Sequence, residues 1–181
     1  CSGYHETDSS VVGFSHTHLS GTGIGDLFDI TVLPVTGPID GCSREALADK
    51  ADRSRETSVP GYYSVPLERS GVLAELTATE RVGFHRYTYP AGSDAALIFN
   101  LEDGGCWDKV TADSILVVDD TRIQGWRFSS GWADDQKIWF SAEFSKPISS
   151  FEKIGGHHWR FDFKDAGTLL VKVAVSPVSV E

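Results

Sequence analysis

Methionine is absent from all 181 residues, position 1 included, so the chain reads as a piece of a longer protein. Cysteine is nearly as scarce. Cys1, Cys42 and Cys106 stand far apart, with no CxxC pair, no zinc-ligand spacing and an odd count that argues against a full disulfide framework. Positive charge is short as well: 16 basic against 26 acidic residues give a formal net charge of −10, with no long basic cluster. Such a surface repels nucleic-acid phosphates and anionic lipid, so no nucleic acid is expected as a partner. No apolar run approaches the roughly 18 residues of a membrane span, and no signal peptide is present, although the mature part of an exported protein would look the same. Cys1 followed by Ser2 and Gly3 would also suit a lipid-modified mature terminus. Helical periodicity is confined to "REALADKADR", which predicts two to three turns and marks an insertion.

What is there is alternation. In "QKIWFSAEFS" the residues Ile138, Phe140, Ala142 and Phe144 share one face, opposite Trp139, Ser141, Glu143 and Ser145. "HHWRFDFK" repeats the device, with Trp159, Phe161 and Phe163 inward and His158, Arg160, Asp162 and Lys164 toward solvent. Further strands are read in "FDITVLPV", "YYSVPLE", "VLAELTATE", "RVGFHRYTY", "AALIFNLE", "DSILVVDD", "TRIQGWRFS" and "LLVKVAVSPV". "ERSG" is short enough for a hairpin turn, and "PAGSD" separates the next pair. About ten or more short strands with almost no helix predict an all-β chain: one antiparallel, supersandwich-like β-sandwich over residues 1–181, carrying one short helical insertion. Leu97, Phe99, Leu101, Val171, Val173 and Val175 join the inward faces as its core. At roughly 25 cal/mol per Å² of buried apolar area such a core offsets chain entropy without disulfides.

One stretch does not fit a strand or a helix. "GFSHTHLSGTGIGD", residues 13–26, crowds histidines, serines, threonines and an aspartate between glycines. A strand would send His16 and His18 to one face, which suggests a metal. Zinc and iron sites need a third ligand, though, and residues 19–25 hold no glutamate to supply it, so no metal residue is assigned. A purely structural loop is one alternative. The other is a sugar-binding loop, whose donors and acceptors meet hydroxyls while glycine lets the backbone approach closely.

"CSGYH", "GFSHTHLSGTGIGD", "PGYYSVPLERSGVLAELTATERVGFHRY", "GWADDQKIWFSAEFSKP" and "VKVAVSPVSVE" together resemble the amino-terminal β-sandwich of glycoside hydrolase family 92. They occur in order over nearly the whole chain. Members of that family are calcium-dependent exo-α-mannosidases, in which this sandwich precedes a larger (α/α)6 helical domain and the active site lies between the two. The resemblance implies a bacterial, periplasmic, cell-surface or secreted parent enzyme acting on mannose-containing glycans such as N-glycans. It also implies calcium with ligands outside these residues, and the helical domain as partner. Tyr4, His5, His16, His18, Ser20 and Asp26 are the expected substrate-binding residues. The sequence departs from the family at Phe28, where members more often carry glycine, and a bulky ring there would narrow the cleft.

No catalytic residue is expected within the chain itself. An inverting glycosidase needs two carboxyl groups roughly 6.5–9.5 Å apart. Asp26 with Asp29, Asp119 with Asp120, and Asp134 with Asp135 all read as turn-forming or solvated carboxylates, and Glu75 and Glu80 as outward-facing strand residues. Trp126, Trp132 and Trp139 read as sheet packing. The expected role is to shape the mannose-binding cleft and pack on the catalytic helical domain. The rival readings are a free-standing, non-catalytic carbohydrate-binding module and an unrelated β-sandwich interaction domain.

Overall fold

The computed structural model describes residues 5, 7–17, 27–102 and 108–180. Among these residues the chain forms fourteen strands: β1 Ser10–Val11, β2 Thr31–Thr36, β3 Asp49–Lys50, β4 Thr57–Val59, β5 Tyr62–Pro66, β6 Leu73–Ala78, β7 Val82–Thr88, β8 Ala95–Asn100, β9 Lys109–Asp119, β10 Arg122–Ser130, β11 Gln136–Phe144, β12 Ile148–Gly155, β13 His158–Phe163 and β14 Thr168–Ser176. An eight-stranded sheet in the order β4-β5-β6-β7-β14-β11-β10-β9 packs on a four-stranded sheet in the order β12-β13-β8-β2, and β1 pairs with β3. Every neighbouring pair is antiparallel. The chain is therefore an all-β sandwich.

The alternating faces build the core between the sheets. Phe99 of β8 stacks on Phe140 of β11 with ring centroids 5.9 Å apart and meets Phe144 and Phe161 edge-on at 6.1 and 5.6 Å. Leu97, Leu101, Val171 and Val173 are fully enclosed beside them. Gly125 is required in β10 because a Cβ there would lie 2.7 Å from the Phe140 ring. On the outer face of the eight-stranded sheet Trp126 and Trp139 are cross-strand partners and Phe128 meets Trp139 edge-on at 5.1 Å, the packing role expected of these two tryptophans, whereas Trp132, expected to pack likewise, is exposed between β10 and β11.

Four local expectations are corrected. "REALADKADR" gives only one α-helical turn, α1 at Arg44–Leu47, capped by Ser43, and a 3-10 turn at Arg53–Arg55. Asp49 leaves the helix because its buried carboxylate accepts the backbone N–H groups of Arg69 and Ser70 at 2.8 and 3.0 Å. "PAGSD" joins two sheets rather than a hairpin: β7 pairs with β6 and β14, whereas β8 pairs with β13 and β2. Pro90 lacks the N–H that would continue the ladder. His158 is buried rather than solvated, and Arg160 is mostly covered, donating to the Gly37 carbonyl at 2.8 Å. The outer face of the four-stranded sheet is roofed, with Leu33, Val35, Ala96 and Ile98 packing against Leu47 and Ile39. The fourth correction, Asp29, belongs to the site.

Candidate functional site

Both flanks of residues 18–26 lie at the end of the sandwich where β2 and β7 begin. Phe14 bridges to Val32, and the His16 N–H donates to the Asp29 carbonyl at 3.1 Å, so the incoming and outgoing segments run side by side. Two polar assemblies hold them.

The first is a chain of rings. The Ile30 carbonyl can only accept, so His16 Nδ1 carries the hydrogen and donates to it at 2.5 Å. In a neutral ring His16 Nε2 must then accept, which it does from His85 Nε2–H at 2.9 Å. His85 Nδ1 accepts in turn from the buried Tyr87 hydroxyl at 2.6 Å. Burial holds the His16 pKa down at about 4, and burial followed by the neighbouring His16 holds His85 well below its ordinary value. Burial likewise pushes the Tyr87 phenol up, keeping its proton in place. Gly83 makes room for the pair: a Cβ there would lie 2.6 Å from His16 Cδ2 and 2.8 Å from His16 Nε2.

The second assembly centres on Arg127, which points inward from β10 and is fully buried. Its Nε donates to the Leu101 carbonyl at 2.7 Å, while Nη1 donates to Asp108 Oδ2 at 2.7 Å and to Asp29 Oδ1. Asp29 Oδ2 accepts from the Thr17 hydroxyl at 2.8 Å and from Gln136 Nε2 at 2.7 Å. Asp29, expected to be a turn or solvated carboxylate, has no exposed surface. Burial pushes its carboxyl above the usual carboxylate range, against the opposing pull of Arg127 and the Thr17 bond. Thr17 and Asp29 stand beside residues 18–26, and Leu101 and Asp108 beside residues 103–107, so one guanidinium ties down the roots of two segments. Backbone strain marks the same place. Leu27 and Ile30 adopt φ of 70° and 53°, a conformation costly for β-branched Ile30 and held by these bonds.

Of the residues expected at the site, His16 occupies this rim. His5 is exposed and engages Thr7, whose backbone N–H donates to His5 Nδ1 at 3.3 Å. Tyr4, His18, Ser20 and Asp26 lie outside the described residues. His85, Tyr87, Arg127, Asp108 and Gln136 were missed. The signal for the first three was period-2 alternation, which aligns Gly83, His85 and Tyr87 with the inward face of β7 and Arg127 with Ile123 on that of β10. His16 spends both ring nitrogens on protein partners, and among the described residues no three His, Cys, Asp or Glu side chains converge as metal ligands. Nor is any helix among them long and apolar enough to cross a membrane.

Residues 1–176 match the glycosyl hydrolase family 92 N-terminal domain. The chain belongs to that family. The family 92 domain superposes on a family GH92 α-mannosidase from Bacteroides thetaiotaomicron with a TM-score of 0.88 and 28% identity, over 99% of this chain and 28% of that one. That enzyme has also been solved in complex with mannoimidazole. An inverting mannosidase of the same family and organism shares the fold, with a TM-score of 0.73 and 20% identity over 97% of this chain and 25% of that one. An uncharacterized secreted glycosidase of Arthroderma benhamiae is 31% identical over 94 residues, 49% of this chain and 12% of that protein. The family 92 domain thus spans little more than a quarter of the mannosidases it resembles.

Proposed function

We propose that this domain supplies the sugar-contacting rim of an exported, inverting exo-α-mannosidase whose general acid and base lie in a helical domain of the same protein. Family membership and the likeness to α-mannosidases support the substrate class. The single observation that carries the rim role is the Arg127 assembly. A buried cation shared by two carboxylates is a poor way to gain stability, since apolar packing would serve as well. It is a good way to hold Thr17, Asp29, Leu101 and Asp108 in fixed relation. In this reading residues 18–26 offer hydroxyl and imidazole groups to mannose, and His16 acts as a positioning residue through His85. Calcium would complete the parent enzyme. In this reading its ligands lie outside these residues.

His18→Ala in the full-length protein tests the rim. Losing one neutral hydrogen bond to substrate, strengthened in the transition state, should lower kcat/KM roughly three- to hundredfold with the melting temperature unchanged. Unchanged kinetics would remove His18 from the site, and a loss as large as deletion of a catalytic carboxylate would make it part of the chemistry.

A further inference from the structure

A concave feature lies at the end of the sandwich opposite the His16 rim. β2 and β7 start at the His16 rim and finish at Thr36 and Thr88. There a groove of about 940 Å³ opens between residues 37–42, residues 90–95 and the outer face of β12 and β13. Its size is that of a small-molecule site. Ile39 and Ile154 give it an apolar patch, continuous with the cluster that roofs the four-stranded sheet.

Its polar side is a fixed pair. Arg160 Nε donates to Asp162 Oδ1 at 2.8 Å, Arg160 Nη1 donates to the Gly37 carbonyl at 2.8 Å, and the Ser150 hydroxyl donates to Asp162 Oδ2 at 2.8 Å. These bonds use two of the five guanidinium N–H groups and leave lone pairs on both carboxylate oxygens. The Arg160 side chain is 12% exposed and that of Asp162 31%, so the pair is held from beneath and keeps an accessible edge.

Charge selects the ligand class. Asp94, Glu152, Asp162 and Asp165 outnumber Arg160 and Lys164 around the groove, which disfavours phosphate, sulfate and carboxylate ligands. A purely apolar ligand would take the Arg160–Asp162 edge out of water without replacing its hydrogen bonds. A neutral, hydroxyl-rich ring satisfies both sides: its C–H face covers Ile39 and Ile154, and a hydroxyl accepts from Arg160 while donating to Asp162. We propose that this groove is a second carbohydrate site, taking a neutral pyranose unit, with Arg160 and Asp162 as its recognition pair. It shares no residue with the His16 rim.

Amide chemical-shift titration of the 181-residue protein tests it, with methyl α-D-mannopyranoside and methyl α-D-glucopyranoside as neutral probes and methyl α-D-glucuronide as the charged control. Saturable shifts at Gly37, Ala91, Gly92 and Asp162 are expected with at least one neutral probe and not with the glucuronide. Asp162→Asn should weaken them about three- to tenfold. Ala91→Trp, which fills the mouth from an exposed position and touches none of these bonds, should abolish them. No saturable groove shifts with either neutral probe, equal shifts with the glucuronide, or shifts that survive Ala91→Trp would overturn the proposal. Shifts confined to residues around His16 would keep the rim reading and remove the second site, whereas shifts confined to the groove would support the second site and leave the rim to the full-length His18→Ala kinetics.

Discussion

Replacing Arg127 with methionine is expected to destabilise the domain by about 3–5 kcal/mol, the usual result of removing one partner from a buried ion pair. For a chain of this size that is a fall of roughly 10 °C in melting temperature. The cause is specific. Asp29 and Asp108 would face each other in a site with no solvent access, and the Leu101 carbonyl would lose its donor. Arg127→Lys should recover only part of the loss, because one ammonium cannot reach both carboxylates and the carbonyl with the geometry of a planar fork. Chemical denaturation of the three proteins checks the order. Methionine within about 1 kcal/mol of the parent would mean that the clamp carries no weight.

Acid lability is the second large effect. Above pH 6.5 His16 is neutral in both the folded and the unfolded chain. Between 6.5 and about 4 the unfolded chain takes up a proton that the folded chain refuses, so stability falls as pH falls, and below about 4 the folded ring protonates too and the loss levels off. At about 1.4 kcal/mol per pH unit the His16 ring alone accounts for roughly 3 kcal/mol, and His85 adds to it in the same direction. Two protonated rings could not keep the Nε2–Nε2 bond, so the flanks of residues 18–26 should loosen with this transition. Unfolding free energies at pH 6.5 and pH 4, in the parent and in His16→Gln, isolate the ring from the carboxylates. The drop should be clearly smaller in the variant, and an equal drop in both would show that the pair does not govern acid stability.

The sandwich could be read from the sequence because its core strands alternate. Phe140, Ala142 and Phe144 on one face and Phe161 and Phe163 on another are buried as the pattern requires. The edge strand β12 was not foreseen, because most of its residues are exposed and leave no periodic signal. His158 and Arg160 misled because alternation tells which side a residue takes and not whether that side is roofed by a distant segment such as residues 37–47. The rim was half visible. The composition of residues 13–26 pointed to it, and His16 lies there. Its supports, however, come from β7, β10, β11 and the start of β9, at sequence separations of 69 between His16 and His85 and 98 between Asp29 and Arg127. Asp29 looked like an ordinary turn carboxylate because nothing near it in sequence announces its cation. An arginine at an inward position of "IQGWRFS" was the available clue.

The central claim is that this domain completes a mannoside site without carrying its acid and base. Hydrolysis of an aryl α-mannoside, with calcium supplied, tests it most directly when the 181-residue chain and the full-length protein are assayed side by side. The account predicts turnover by the full-length protein and none by the chain alone. Saturable hydrolysis by the chain alone, abolished by a single carboxylate substitution within these residues, would contradict it.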